Sequence, residues 1–227
     1  MPPPDSTESH EVLHALQKSW NAAARCYVER RINSERCLQS TLFYYFKQYL
    51  PKDYFIYVEA TVRIPDDTKD LGYRRVAVDT LVCKENTIYA AIELKFSPKG
   101  QSKLSGVRKD IFSLSTIKNR RKIDDRITIE IPRYRNTDED LMTLSVHKSN
   151  KLIFAAFGKK EGARLNQTNF WLAHGPAEGR WKSHKTMPSQ LCIALAHTSE
   201  DGRANTVFFG PPFTRQLTRQ RMAASDA

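Results

Sequence analysis

Two apolar runs, Val76–Cys83 and Ile88–Phe96, separated only by the polar tetrapeptide Lys84-Glu85-Asn86-Thr87, constrain this chain more than any other feature. Runs of this length, joined by so short a polar link, predict a β-hairpin. Successive strand side chains point to opposite faces, so Glu93 and Lys95 share one face while Ile92, Leu94 and Phe96 share the other. Asp79 interrupts the first run between Val78 and Leu81. The hairpin therefore gathers three charged groups on a largely apolar sheet, where isolated charges are costly unless paired or bound to a metal.

That cost points to chemistry. A hard cation such as Mg²⁺ takes oxygen ligands and keeps several waters, so one or two carboxylates and a substrate phosphate suffice to hold it. Asp79 and Glu93 are the candidate carboxylates, with the backbone carbonyl of Leu94 as a further donor. Lys95 is placed to orient or deprotonate an attacking water and to neutralise charge that builds on phosphorus.

At these residues, in VAVDTLV and AAIELKF, the chain resembles the PD-(D/E)xK nuclease superfamily, over about Ser34 to Gly158. The resemblance implies a restriction-endonuclease-like α/β fold, a central mixed sheet flanked by helices, and a Mg²⁺-dependent nuclease acting on DNA, with Mn²⁺ able to substitute. It implies that Asp79 and Glu93 bind metal and that Lys95 is catalytic. The residue before Asp79 is Val78 where the family pattern has Pro, a departure that members tolerate. A literal Pro65-Asp66 occurs in the polar stretch RIPDDTKDLGY, which reads as a loop between strands. A nucleic-acid-binding module that keeps this fold without hydrolysis is the alternative, and a basic protein in which the three residues coincide by chance is a third. Cleavage of both strands would imply a homodimer.

The flanking sequence fits the same order. Ser34 caps an expected helix from Glu35, in which Leu38, Leu42, Phe46 and Tyr49 recur at helical spacing before Leu50-Pro51 ends it. Glu35, in the first turn, is where some family members carry an additional acidic metal-site residue; an acid there also complements the helix dipole. In FIYVEATVRI, apolar Ile56, Val58, Ala60, Val62 and Ile64 alternate with other residues, and Glu59 on the polar face is a further metal-site candidate. Leu104, Val107, Ile111, Leu114 and Ile117 mark an amphipathic helix, and KLIFAAF from Lys151 reads as a buried strand.

With 227 residues and 40% hydrophobic content, one domain over 1–212 is expected, with its core at about 34–158, extra C-terminal hairpins and a flexible basic tail over 213–227. No apolar run approaches a membrane span, and MPPPDSTESHE lacks a basic-then-apolar leader, so a soluble cytoplasmic protein is expected. Cys26, Cys37, Cys83 and Cys192 lie far apart, as buried reduced thiols do. The net charge of +11 is uneven: Lys99, Lys103, Arg108, Lys109, Lys118, Arg120, Arg121, Lys122, Arg126, Arg133 and Arg135 fall in one stretch against Asp110, Asp124, Asp125 and Glu130. The first eight of these are the candidate nucleic-acid contacts, since such charges hold phosphates and release counterions regardless of base sequence.

His10-Glu11-Val12-Leu13-His14 is a literal H-E-x-x-H, a pattern that presents two zinc ligands on a helix. Without a third ligand downstream, the better reading packs Val12, Leu13, Leu16 and Trp20 on one side and leaves the histidines in water. FWLAHGPAEGRWKSH and QLCIALAHTSEDGRANTVFFG read as hairpins, with Trp171 and Trp181 more suited to a core than to base stacking.

Overall fold

Among the described residues, the helix, strand and turn signals of the sequence resolve into two helices, eight strands and a further group of helical residues between the third and fourth strands. The computed structural model describes residues 5–65, 70, 72–97, 109–110, 113–114, 116–117, 127–130, 141–158, 191–198, 204–210 and 213–218. Helix α1 spans Asp5–Val28 and α2 spans Glu35–Tyr49. The strands are β1 (Tyr54–Pro65), β2 (Tyr73–Lys84), β3 (Thr87–Ser97), β4 (Ile127–Glu130), β5 (Leu141–Gly158), β6 (Leu191–Thr198), β7 (Ala204–Gly210) and β8 (Phe213–Thr218). Lys109, Asp110, Ser113, Leu114, Thr116 and Ile117 are helical.

Helix α2 begins where its cap predicts. Ser34 has extended backbone angles and its hydroxyl accepts the Cys37 N–H at 3.2 Å, satisfying one of the donors a helix start leaves open. Leu38, Leu42 and Phe46 are buried, whereas Tyr49, at the end of the expected stripe, is 38% exposed. Val12, Leu13, Leu16 and Trp20 of α1 are buried and His10 and His14 are exposed. Glu11 is used structurally, its Oε2 accepting the Tyr54 hydroxyl at 3.3 Å.

β1, β2 and β3 form an antiparallel meander, β3 runs parallel to β5, and β5 runs parallel to β6, which makes the sheet mixed. The turn between β2 and β3 falls at Glu85-Asn86, inside the expected tetrapeptide, with Glu85 left-handed at φ 50°. The short strand β4 is not foreshadowed by any apolar run; it pairs with β1 on one side and with Leu141–Leu144 of β5 on the other. β5 is long enough to pair with β4 over Leu141–Leu144 and, from Leu152 to Phe157, with β3 along one edge and β6 along the other. Strands β1, β2, β3, β5 and β4 thus close a hydrogen-bonded ring, and β6, β7 and β8 continue the sheet beyond it.

α1 and α2 cover one face. Trp20, Leu16, Leu38, Leu42 and Phe46 pack with Val82, Ala90, Ile92 and Leu94 of the hairpin and with Cys192, Ala194, Ala196 and Phe208 of β6 and β7. Each such fully buried large side chain contributes roughly 1.5–3 kcal/mol relative to its exposed state. Since Leu94 belongs to this layer, Lys95 points to the other face, where helical Asp110 meets it. Leu114 and Ile117, one and two turns beyond Asp110 on the same stripe, are also fully buried. The result is an α/β architecture with helical residues on both faces. The expected tail begins with an ordered strand, since β8 pairs with β7 over Phe213–Thr218. The hairpin of β6 and β7 forms as expected; the hairpin containing Trp171 and Trp181 lies outside the described residues. Cys83 and Cys192 are buried, Cys26 and Cys37 are half-buried, and all four are free thiols.

Candidate active site

The hairpin ladder decides where the charged groups meet. It runs from Lys84 opposite Thr87 to Thr80 opposite Ile92 and stops there. One more step in the same register sets Asp79 across from Glu93, so the two strands part where the carboxylates begin. Asp79 Oδ2 accepts the Leu94 N–H at 2.6 Å, replacing with a side chain the backbone bond that β2 no longer makes.

The ladder on the other side of Asp79 is also interrupted. β1 and β2 pair from Val58 opposite Thr80 to Ala60 opposite Val78, passing over Glu59 and Asp79. Glu59 is left-handed, with φ 52°, a conformation that a residue with a Cβ adopts at a cost of roughly 1–2 kcal/mol. The Asp79 carbonyl is taken instead by Gln39, a buried residue of α2, whose Nε2 donates to it at 2.7 Å. Asp79 is therefore fixed at its carbonyl by α2 and at its carboxylate by β3.

Glu93 is only 5% exposed. Burial, then the charges of Asp79 and Asp110, then a hydrogen bond with Asp79 push its carboxyl up to about 10, against the opposing pull of Lys95. Lys95 Nζ lies 2.8 Å from Asp110 Oδ2, 4.0 Å from Glu35 Oε1, and donates to the Leu94 carbonyl at 3.2 Å. Burial alone would lower the Lys95 ammonium, but the Asp110 hydrogen bond and charge, with Glu35 and Asp79, raise it above the ordinary lysine value. Asp110 is itself pushed up, since burial and the neighbouring carboxylates Asp79 and Glu35 outweigh the ammonium that faces it.

Glu35 reaches this cluster from the first turn of α2, accepting the Phe96 N–H at 3.1 Å as well as facing Lys95. Glu59 takes a different course: its largely exposed carboxylate turns to Arg36 Nε, 3.8 Å away. The structure thus brings Asp79, Glu93, Lys95 and Glu35 together and directs Glu59 outward. Of the expected nucleic-acid contacts, Lys109 is an exposed helical residue; Lys99, Lys103, Arg108, Lys118, Arg120, Arg121 and Lys122 lie outside the described residues. Two members of the site were missed in the sequence. Asp110 sits four and seven residues before Leu114 and Ile117, a charge on an apolar stripe, and Gln39 follows Glu35 by one turn on α2.

Asp79 and Glu93 offer hard oxygen donors, and the buried, proton-retaining Glu93 carboxyl marks a place where positive charge is in deficit. This donor set suits Mg²⁺, which needs few protein ligands. Among the described residues, no group of three or more His, Cys, Asp and Glu side chains is arranged to hold a metal ion.

No protein-family model matches the chain, and no curated protein matches it. Among solved structures, it aligns with one described as the crystal structure of the central domain of yeast acetyl-CoA carboxylase, at a TM-score of 0.30 and 7% identity. That alignment covers 92% of this chain and 33% of the other, so the chain spans about a third of that protein's length. A likeness of this degree carries no argument about fold or function. No described helix is long and apolar enough to cross a membrane.

Proposed function

We propose that this chain has a restriction-endonuclease-like core and is a Mg²⁺-dependent nuclease that hydrolyses phosphodiester bonds in DNA. The observation that carries the reading is the parting of β2 and β3 at Asp79 and Glu93, with Lys95 on the same face and held by acids from two helical segments. Asp79 and Glu93 are the residues to hold the metal, and Glu35 faces Lys95 from the first turn of α2. Bound there, Mg²⁺ would polarise a phosphoryl oxygen and acidify a water.

The chain's own part is positioning and charge. Asp79 is immobilised at both its carbonyl and its carboxylate, so its oxygens need little reorganisation when charge develops nearby. Glu93 must give up its proton to ligate, which a divalent cation in place of the missing positive charge favours. Lys95, kept as an ammonium by Asp110, has no lone pair to accept a proton. Its role is to orient the phosphate and neutralise its growing negative charge, and water activation falls to other groups.

Incubation of the purified protein with supercoiled plasmid, linear DNA and RNA, with Mg²⁺, Mn²⁺ or chelator, tests the proposal. The expected result is metal-dependent DNA cleavage lost in Asp79→Ala and Glu93→Gln. Absence of cleavage with either metal on every substrate overturns it. A second reading, a nucleic-acid-binding module of the same fold without hydrolysis, draws on the lack of a third converging ligand among the described residues; it predicts salt-dependent binding with intact substrate.

A further inference from the structure

Asp110 is 7% exposed, and its Oδ2 is fully buried without a well-aligned hydrogen bond, its contact being the Lys95 ammonium at 2.8 Å. A buried carboxylate in that setting is a liability to folding unless its position is fixed and its charge is used. Its position is fixed: Leu114 and Ile117, fully buried on the same helical stripe, anchor the backbone that carries it. The Lys95 stem lies in β3 and its Nζ is tied from the opposite side to the Leu94 carbonyl at 3.2 Å. The ammonium is therefore gripped between its own strand and the helix across from it. Glu35, the third acid, stands off at 4.0 Å and is half-exposed, which makes it the weaker hold.

We infer that Asp110 is a positioning residue that sets the Lys95 ammonium beside the Asp79 and Glu93 carboxylates, so that the lysine meets a phosphate in one orientation. This rests on the nuclease reading for its consequence and on the Lys95–Asp110 contact for its geometry. A residue acting through another in this way typically changes activity by about 10- to 100-fold when altered. Asp110→Asn preserves shape and one acceptor while removing the charge; Asp110→Glu keeps the charge on a longer arm.

The test combines plasmid cleavage with amine labelling followed by mass spectrometry. Asp110→Asn should lower kcat about 10- to 100-fold with KM for DNA little changed, and Asp110→Glu should restore part of the loss. Adding Asp110→Asn to Lys95→Ala should cost nothing more, because the effect is routed through the lysine. Full additivity of the two substitutions, at unchanged melting temperature, overturns the inference. Labelling reads the tether without requiring activity: Lys95 should be protected relative to Lys109 in the wild type and unmasked in Asp110→Asn. Equal labelling of Lys95 in both proteins overturns it, and a wild type that protects Lys95 but cuts no DNA places the failure in the nuclease reading.

Discussion

A carboxyl that holds its proton to about 10 makes folding respond to pH in one direction. Unfolded, Glu93 ionises near its ordinary value of 4.5; folded, it stays neutral far above that. The stability associated with this group is complete below the unfolded value and is lost as pH rises through the folded one. In chelator, the melting temperature of the wild type should therefore fall between about pH 5 and pH 9 relative to Glu93→Gln, by at least the 2–4 °C that about 1 kcal/mol produces in a chain of this size. Parallel profiles would show that Glu93 is not held neutral. On the proposed reading Mg²⁺ binds the same site, so by mass action it should raise the wild-type melting temperature at high pH and leave Asp79→Ala unmoved. Lys95 belongs to the same scale: Lys95→Ala should cut plasmid cleavage about 100- to 1000-fold while DNA affinity changes little, and Lys95→Arg should rescue poorly, since the planar guanidinium does not reproduce a compact ammonium. Cleavage by Lys95→Ala at the wild-type rate would refute its assigned role.

Among the elements, the segment around Glu59 stores a testable strain. Its positive φ lets β1 pass Asp79 without pairing, and its carboxylate gains only an exposed 3.8 Å contact with Arg36. Such a contact is worth about 0–1 kcal/mol, less than the roughly 1–2 kcal/mol of the left-handed backbone. Glu59→Gly should then raise the melting temperature, whereas Glu59→Val, β-branched, should lower it. A lower melting temperature for Glu59→Gly would mean that the carboxylate does more than meet Arg36. The elements also mark how far the sequence could be read. The Ser34 cap, the Glu85-Asn86 turn and the helical spacing of Leu38, Leu42 and Phe46 are local signals, written in neighbouring residues, and the opposed strands carrying Asp79 and Glu93 followed from them. β4 is four residues long, so its alternation of Ile127 and Ile129 with Thr128 and Glu130 is too short to stand out, and its pairing with both β1 and β5 depends on contacts distant in sequence. The left-handed Glu59 left no trace either, since a glutamate in a strand gives no sign of a broken ladder. Asp110 was visible as a charge on an apolar stripe, but only the approach of Lys95 from another element gives that charge a meaning.

At the level of the whole molecule, closure of β1, β2, β3, β5 and β4 into a ring holds the site from several directions at once: Gln39 from α2, Leu94 from β3 and Asp110 from the far helical segment converge on residues that no single hairpin could fix. On the proposed nuclease reading, substrate capture belongs to the same scale, because a net charge of +11 would attract a polyanion before any local contact forms. The basic stretch that follows β3 in sequence carries Arg120, Arg121 and Lys122, outside the described residues, and its phosphate contacts would be independent of base sequence. Replacing these three with Ala should weaken binding uniformly across DNA sequences and reduce the slope of log affinity against log salt by about 0.9 for each phosphate no longer neutralised. Melting temperatures of both proteins separate a loss of phosphate contacts from a loss of fold. Binding titrations of both proteins over a range of salt concentrations measure this directly, and an unchanged slope would assign the substrate track to another basic surface of the chain.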